Sequence, residues 1–296
     1  MTALKRLLNS MATYAMANVI NSAIPFLLLP VLTRVLAPEE YGMVAMFTTV
    51  IMVLSAFIGL SLHGAISVRY FNSQTNHPQF LGSCLAVLSC STALTLVVIW
   101  LVGGFFSSMV GLPQVWLFLA ALASCFQALI NIRLVMWQVR GEAVRYGSFQ
   151  IIQTLVNLGL SLWLIIAVGM GWEGRALGIF WAFSIFGMLA LGSLWLKGLV
   201  HWSVDKEYVR ASLKFGVPLI PHSIGGMMMV ISDRFVLVSM VGMGATGSYV
   251  VGAQVGMAVG LLADAFNKAF GPHLLRELQR LEGRADLALA RQCLGV

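Results

Sequence analysis

The sequence predicts an all-α polytopic membrane protein that crosses the bilayer about eight times. Of its 296 residues, 59% are apolar and only 10% are charged, and long uncharged runs separate the charges. Soluble globular domains carry about 25% charged residues, so a water-soluble core could not absorb this excess of apolar side chains. The uncharged runs are expected to be helices in lipid, because a bilayer offers no water to unpaired backbone groups.

Each uncharged run is long enough for at least one helix, because roughly 20 apolar residues cross a hydrocarbon core of about 30 Å. The run 70–132 is long enough for two, and Gly103-Gly104, Ser107-Ser108 and Gly111-Leu112-Pro113 are predicted to divide it. The predicted spans are residues 12–35, 43–63, 79–104, 115–138, 148–170, 176–197, 213–232 and 246–268. A membrane β-barrel is the weaker alternative, since the runs lack the alternating pattern of barrel strands.

The distribution of basic residues predicts the orientation. In the arrangement of eight spans, 15 of the 18 Lys and Arg residues fall on one side, which leaves only Arg34, Arg175 and Arg234 for the other. Cytoplasmic loops carry the excess of Lys and Arg, so both termini are predicted to be cytoplasmic. The net charge of +7 is therefore interpreted as a topogenic signal, and no clustered basic patch indicates nucleic acid.

The chain is predicted to divide into four parts. They are a six-helix transmembrane bundle (1–200), a cytoplasmic amphipathic linker (201–214), the first two helices of a second bundle (215–268) and a cytoplasmic C-terminal segment (269–296). A faint internal echo at an offset of about 200 residues favours two related bundles, since transporters are often built from repeats. Glu40-Tyr41-Gly42 begins the second span, and Gly247-Ser248-Tyr249 begins the eighth.

Several short segments resemble one known family. They are Pro30 to Gly42 (PVLTRVLAPEEYG), Arg145-Tyr146-Gly147, the predicted hairpin Gly171 to Gly178 (GWEGRALG), and Phe215 to Pro221 (FGVPLIP) followed by Ser232-Asp233-Arg234. In order and spacing they are similar to segments of the bacterial O-antigen and polysaccharide repeat-unit flippases. These transporters belong to the multidrug/oligosaccharidyl-lipid/polysaccharide exporter superfamily.

The resemblance implies a V-shaped pair of six-helix bundles around a central cavity. It also implies that undecaprenyl-diphosphate-linked oligosaccharide is moved between the leaflets of the bacterial inner membrane, with membrane lipids as further partners. Members usually have more spans than the eight predicted here, so the chain is expected to be a truncated or short form. The predicted function is therefore a flippase for the synthesis of surface polysaccharide, such as O-antigen, lipopolysaccharide, capsule or exopolysaccharide.

Charges inside the spans are the candidate site residues, because an ionised side chain at mid-bilayer usually faces protein or a water-filled cavity. Arg133, in the fourth span, could grip a phosphate bidentately, although snorkelling to the headgroups is an open alternative. Arg34 and Arg234 are the other candidates for the cavity wall. Each has a role at the end of a helix as its alternative.

Three further charges are candidates for coupling or structure. Asp264 and Lys268 have the i,i+4 spacing of a helical ion pair, although Asp264 could instead exchange a coupling proton or Na⁺. Asp233 is adjacent to Arg234, so the two side chains are expected to point different ways rather than pair.

The sequence favours a transporter over an enzyme. A membrane enzyme acting on polyprenyl substrates would need paired carboxylates, a metal cluster or a catalytic His, whereas the 11 acids and 5 histidines are scattered. No cofactor or metal is therefore expected. A drug or cation antiporter of the same superfamily would call for buried acids, and basic residues outnumber acids here. Both alternatives stay open at this point.

Overall fold

The computed structural model describes residues 16, 19–21, 29–70, 76–201 and 203–257, without the side chains of 229–231. The regular elements of this part of the chain are all helices, which confirms the all-α fold. They are α1 (29–35), α2 (Pro38–Gly59), α3 (Leu62–Tyr70), α4 (His77–Val110), α5 (Gln114–Val139), α6 (Ala143–Leu162), α7 (Gly171–Leu196), α8 (Lys206–Gly216), α9 (Leu219–Met240) and α10 (243–257). A π-helical turn, Trp163–Ala167, extends α6.

Five helices are long and apolar enough to cross a membrane, and they correspond to the second to sixth predicted spans. They are Pro38–Gly59, His77–Val110, Gln114–Val139, Ala143–Ala167 and Gly171–Leu196. Lys206–Met228 and Ser232–Met240, with a bend of 57° between them, would together make a sixth span. The first and eighth predicted spans lie partly outside the described residues, so the count of eight stays a prediction.

The chain forms two compact units, residues 1–251 and 252–296. The described residues of the second unit, 252–257, are helical. The first unit holds all the contacts described below. The division into two bundles at the linker 201–214 stays a prediction.

Helix α5 packs against α2, α3, α4 and α7. Its neighbours approach closely because Ala120, Ala121 and Ser124 are fully buried and small. The Ser124 hydroxyl donates across to the Ile51 carbonyl of α2 at 3.1 Å. Helix α4 instead presents large apolar side chains such as Trp100 and Phe105 at its surface, as expected of a helix that faces lipid.

Helix α4 is longer than predicted. It does not end at residue 104 but continues through Gly103-Gly104 and Ser107-Ser108 to Val110. The prediction that these residues divide the run was wrong because a break in lipid would leave backbone groups unpaired, whereas glycine in a continuous helix costs only about 1 kcal/mol. The third predicted breaker, Gly111-Leu112-Pro113, does divide the run, since the chain turns at Gly111, whose φ of 72° lies in the left-handed region that favours glycine.

The second predicted span, 43–63, also has different ends. Helix α2 begins at Pro38, whose fixed φ suits the first helical position, and the Glu40 carboxylate accepts the Ala37 N–H at 3.0 Å. The helix ends at Gly59 because Leu60 and Ser61 both have positive φ, 43° and 46°. This left-handed break separates α2 from the short helix α3.

The predicted hairpin Gly171 to Gly178 is instead the first two turns of α7. The chain reverses before it, near Gly169, whose φ is 74°. The glycines serve helix packing: a Cβ on Gly178 would overlap the Ser161 backbone of α6. Glu40 accepts the Trp172 N–H at 3.3 Å, so one carboxylate binds the N-terminal ends of α2 and α7.

The predicted linker contains helix α8, which Asp205 caps by accepting the Glu207 N–H at 2.8 Å. The segment is tied to the start of α4, since the His201 N–H donates to the Pro78 carbonyl at 2.9 Å. The Arg69 guanidinium lies 5.2 Å from the Phe80 ring, and Phe80 packs edge-on against Tyr208 of α8. The linker is therefore held by the first helices, although its cytoplasmic position stays a prediction.

The backbones of α2 and α10 meet at a pair of glycines. A Cβ on Gly42 would overlap the Met243 carbonyl, and a Cβ on Gly247 would overlap the Pro38 carbonyl. The contact is reciprocal, because Pro38 and Met243 are 205 residues apart in the sequence, and so are Gly42 and Gly247. The two segments of the internal echo thus lie directly against each other, as related halves of a two-fold arrangement would.

The Gly42 contact generates a prediction for stability. We expect Gly42→Ala to lower the free energy of unfolding by about 1–3 kcal/mol, because the added methyl group must displace the Met243 carbonyl. Gly104→Ala is the control, since its methyl group meets open space and alanine favours a helix. Thermal unfolding of the two variants in detergent, followed by tryptophan fluorescence, measures the difference. Equal midpoints would show that the contact is not tight.

Candidate functional site

The structure places the predicted site residues in separate environments. Arg34 is exposed on α1, Arg133 is only 1% exposed in α5, and Arg234 is half-buried in α9. Asp264 and Lys268 lie outside the described residues. The predicted residues therefore do not form one cluster within the described part of the chain.

Arg133 is the largest side chain among the fully buried residues that the structure describes. Its guanidinium carbon lies 4.3 Å from the Trp137 ring, which packs edge-on against Phe149 of α6. The Nε and Nη1 atoms of Arg133 have no hydrogen-bond partner among the described residues, nor does Trp137 Nε1. Arg133 therefore does not reach an exposed surface. It is also absent from the described residues that line the two cavities below.

Asp233 and Arg234 point in different directions. Arg234 Nη1 donates to the Thr49 hydroxyl at 2.6 Å and to the Ala45 carbonyl at 3.4 Å, so it joins α9 to α2. Asp233 is exposed and accepts the Tyr249 hydroxyl of α10. The pair therefore connects α9 to two different helices instead of forming a mutual salt bridge.

A polar cavity of about 280 Å³ lies among α5, α6 and α7, and we call it the amide cavity. It is lined by six carboxamide side chains, those of Asn21, Gln127, Asn131, Gln150, Gln153 and Asn157. Thr154, Arg175, Leu134, Leu158 and Phe183 complete the described lining. An interior with so many groups that both donate and accept hydrogen bonds suits water or a hydroxylated ligand.

The amide cavity depends on one polar face of α6. Gln150, Gln153, Thr154 and Asn157 have the i, i+3, i+4, i+7 spacing that aligns side chains along one side of a helix. Sequence reasoning missed this face because it considered only charged residues inside the spans. The spacing of the polar uncharged residues was the signal that could have found it.

Arg175 is the charged residue in the described lining of the amide cavity. Arg175 was predicted to lie on the side opposite the cytoplasm, but it lies in the first turns of α7, within a span. Its Nη1 atom donates to Asn157 Oδ1 at 2.7 Å and to Ser161 Oγ at 2.6 Å. Both acceptors are neutral, so neither neutralises the guanidinium charge.

A smaller cavity of about 110 Å³ adjoins the first. Gln127 and Asn131 line both cavities, and the Gln127 amide donates to Asn131 Oδ1 at 3.1 Å. Ser55, His63 and Ser223 are among the other lining residues, so the smaller cavity lies between α2, α3, α5 and α9. Gln127 and Asn131 thus form a shared wall between the amide cavity and the smaller cavity beside α9.

The interior of the first helices contains no carboxylate. Only four of the first 200 residues are acidic, namely Glu39, Glu40, Glu142 and Glu173, and all four lie in the first turn of a helix or just before it. Arg145 with Glu142 is the ion pair found in the described residues, and no group of His, Cys, Asp and Glu there could hold a metal ion.

A family model described as "Polysaccharide biosynthesis protein" matches residues 7–274. The chain belongs to the polysaccharide biosynthesis protein family. The match confirms the predicted polysaccharide family, and it agrees with the prediction that the chain is not an enzyme.

Two Haemophilus influenzae proteins are similar to this member of the polysaccharide biosynthesis family. "Lsg locus putative protein 1" is 28% identical over 282 residues, which cover 90% of this chain and 65% of that protein. An "uncharacterized membrane protein" is 26% identical over 285 residues, which cover 93% and 66% of the two chains. The chain thus spans just under two thirds of the length of these relatives.

Solved structures of MATE transporters share the fold of this family member. A mutant of the Vibrio cholerae MATE transporter VcmN matches with a TM-score of 0.64 and 13% identity, over 87% of this chain and 62% of that one. An inward-facing MATE family transporter of the MOP superfamily matches with a TM-score of 0.60 and 17% identity, over 95% and 68%. At these identities the likeness concerns the fold.

The unpaired environment of Arg133 generates a second prediction. We expect Arg133→Met to keep or raise the free energy of unfolding, by up to about 2 kcal/mol, because it removes buried N–H groups that lack partners. Arg145→Met, at an exposed residue, is the control. Thermal unfolding in detergent measures both, and a clear loss of stability in Arg133→Met alone would mean that Arg133 is bound by groups that hold its charge.

Proposed function

We propose that this chain flips oligosaccharide repeat units linked to undecaprenyl diphosphate, as part of the synthesis of a surface polysaccharide such as O-antigen or capsule. The observation that carries the proposal is the sign of the interior charge. Arg133, Arg175 and Arg234 lie within helices of the membrane region, and none has an ion-pair partner among the described residues. Family membership supplies the polysaccharide context.

Electrostatics favour an anionic substrate. A charge in a low-dielectric interior is costly unless an opposite charge or water accompanies it, so unpaired intramembrane arginines indicate a wet route or an anionic ligand. The diphosphate of the lipid carrier is such an anion. Arginine suits it because the planar guanidinium binds phosphate oxygens bidentately.

Uncharged polar side chains line the two cavities in addition to Arg175. The smaller cavity lies where α9 meets the first helices, and its shared wall of Gln127 and Asn131 leads to the amide cavity. A glycan that leaves the cytoplasmic leaflet loses its hydration and needs replacement hydrogen bonds. Carboxamide side chains provide them, since each one both donates and accepts.

We place the chain in the bacterial inner membrane with both termini cytoplasmic. This orientation rests on the excess of basic residues on one side. A proton or Na⁺ gradient would drive flipping through Asp264, with Lys268 as its neighbour at i,i+4. Arg34 would lie at the outer mouth of the route.

Complementation of a flippase-deficient bacterial strain with the full chain tests the proposal. We expect the chain to restore surface glycan, and Arg133→Ala and Arg234→Ala to reduce it at least about tenfold, a loss of 1.4 kcal/mol or more. Arg145→Ala, at an exposed residue paired with Glu142, is expected to keep the activity and serves as the matched control. Expression levels are equalised by immunoblot of membranes.

Two outcomes would contradict the flippase proposal. One is a correctly inserted chain that restores no glycan. The other is a chain that leaves glycan unchanged but raises the resistance of a sensitive strain to cationic drugs, which would favour the antiporter alternative.

The coupling residue has its own test. If Asp264 carries the coupling ion, Asp264→Asn will remove the dependence of flipping on the ion gradient, because the amide does not ionise. Flipping of fluorescent lipid-linked glycan in proteoliposomes, with and without proton and Na⁺ gradients, measures this dependence. Gradient dependence that persists in Asp264→Asn would assign coupling to another group.

A further inference from the structure

We propose that the amide cavity is a binding site for a sugar that bears a carboxylate, such as a hexuronic acid residue. The proposal rests on the proposed function in one respect, since the flipped glycan would supply this sugar. It adds a substrate class that follows from the lining of the cavity. Hydroxyl groups would bind the carboxamides, and the carboxylate would bind Arg175.

The size of the amide cavity suits one sugar ring. Its volume of about 280 Å³ would hold about nine water molecules at their share of liquid volume, and it lies just below the range of about 300–1,000 Å³ for small-molecule sites. This volume suits a single monosaccharide better than an oligosaccharide. Leu134, Leu158 and Phe183 supply apolar surface for the C–H faces of a ring.

The hydrogen-bonding groups of the lining match sugar hydroxyls. A hydroxyl donates one hydrogen bond and accepts others, and a carboxamide side chain can serve both roles. Several lining groups already bond one another, as Gln127 does to Asn131 and Thr154 to Asn21. Gln150 Oε1, in contrast, is buried and has no hydrogen-bond partner among the described residues. A buried acceptor of this kind costs free energy until a donor reaches it.

The charge of the lining selects an acidic sugar. Arg175 Nη1 donates to Asn157 and Ser161, both neutral acceptors, and a planar guanidinium binds carboxylates well. Among the described residues, Arg175 has no ion-pair partner. Glu40 is already engaged by the Ala37 and Trp172 N–H groups.

A phosphate shares the oxyanion chemistry of a carboxylate, so the source of the anion must be distinguished. A diphosphate carries more than one negative charge and would be matched by several cations. The amide cavity offers one described cation surrounded by six carboxamides. This balance fits a sugar with a single charge better than the diphosphate of the lipid carrier, which the proposed function assigns to the arginines of the route.

Binding of free sugars to the purified full chain in detergent tests the inference without any flipping. The probes are glucuronate, glucose, acetate and pyrophosphate, each followed by saturation-transfer NMR and by competition with glucuronate. We expect glucuronate to bind at least about tenfold more tightly than glucose or acetate, because only glucuronate combines hydroxyl groups with a carboxylate that accepts charge-assisted hydrogen bonds. We also expect pyrophosphate to compete poorly.

Variants separate the charge from the hydroxyl contacts. Arg175→Gln is expected to bring glucuronate to the affinity of glucose, while Arg175→Lys retains a preference for glucuronate. Gln153→Leu is expected to weaken both sugars. Arg210→Gln, at an exposed residue of α8, is the matched control for loss of one positive charge. If Arg175→Gln does not fold, the comparison of Arg175→Lys and Gln153→Leu with the unmutated chain still decides the matter.

Three results would overturn the inference: no saturable sugar binding, equal affinity for glucuronate and glucose, or stronger binding of pyrophosphate than of glucuronate. These failures are distinct from failure of the proposed function. Glucuronate binding without complementation would support the sugar site and contradict the flippase proposal. Complementation without glucuronate binding would support the flippase proposal and contradict the acidic-sugar site.

Discussion

The close approach of Gly42 and Gly247 is the contact that places α10, and with it the end of α9, against α2. Lipid tails are as apolar as the helices, so helix association in a membrane depends on tight packing and hydrogen bonds rather than on the hydrophobic effect. Glycine provides that packing by letting the two backbones touch. The Arg234 hydrogen bond to Thr49 joins α9 to the same helix, α2, and adds a polar contact. The reciprocal offset of 205 residues means that the same local geometry is used twice, as in a transporter built from repeats.

Helix ends inside or near lipid impose a second constraint, because unpaired N–H groups there cannot rely on water. Glu40 meets it for two helices at once, since its carboxylate accepts from Ala37 before α2 and from Trp172 in α7. Gly171, with a φ of 56°, lets the chain pass close to this carboxylate, where a Cβ would overlap it. The segments that resemble the family around Glu40 and Gly171 therefore contact each other, which explains why the sequence contains both.

The spacing of charges was enough to predict the helical class and the cores of five spans, because the cost of a charge in lipid is large and acts on every span. Helix ends were harder to predict. Gly103-Gly104 resembles a breaker by local propensity, yet the need to pair the backbone in lipid overrides it. The candidate site was predicted only in part, because attention to charges found Arg133 and Arg234 but not the uncharged polar face of α6. Arg175 was assigned to the outside because counting basic residues by loop cannot tell a loop from the first turn of a buried helix.

The interior arginines affect both the stability of the protein and its proposed transport function. Arg133 and Arg175 have no carboxylate partners among the described residues, so the protein keeps positive charge in a low-dielectric region at a cost in stability. A neutral interior would be more stable, but it would contain no positive charge to compensate an anion for the hydration that it loses. A ligand that supplies a negative charge would stabilise the protein by RT ln(1 + [L]/Kd). Unpaired arginines therefore fit the proposed flipping of a diphosphate, because a site already neutralised by its own acids would have no preference for an anion.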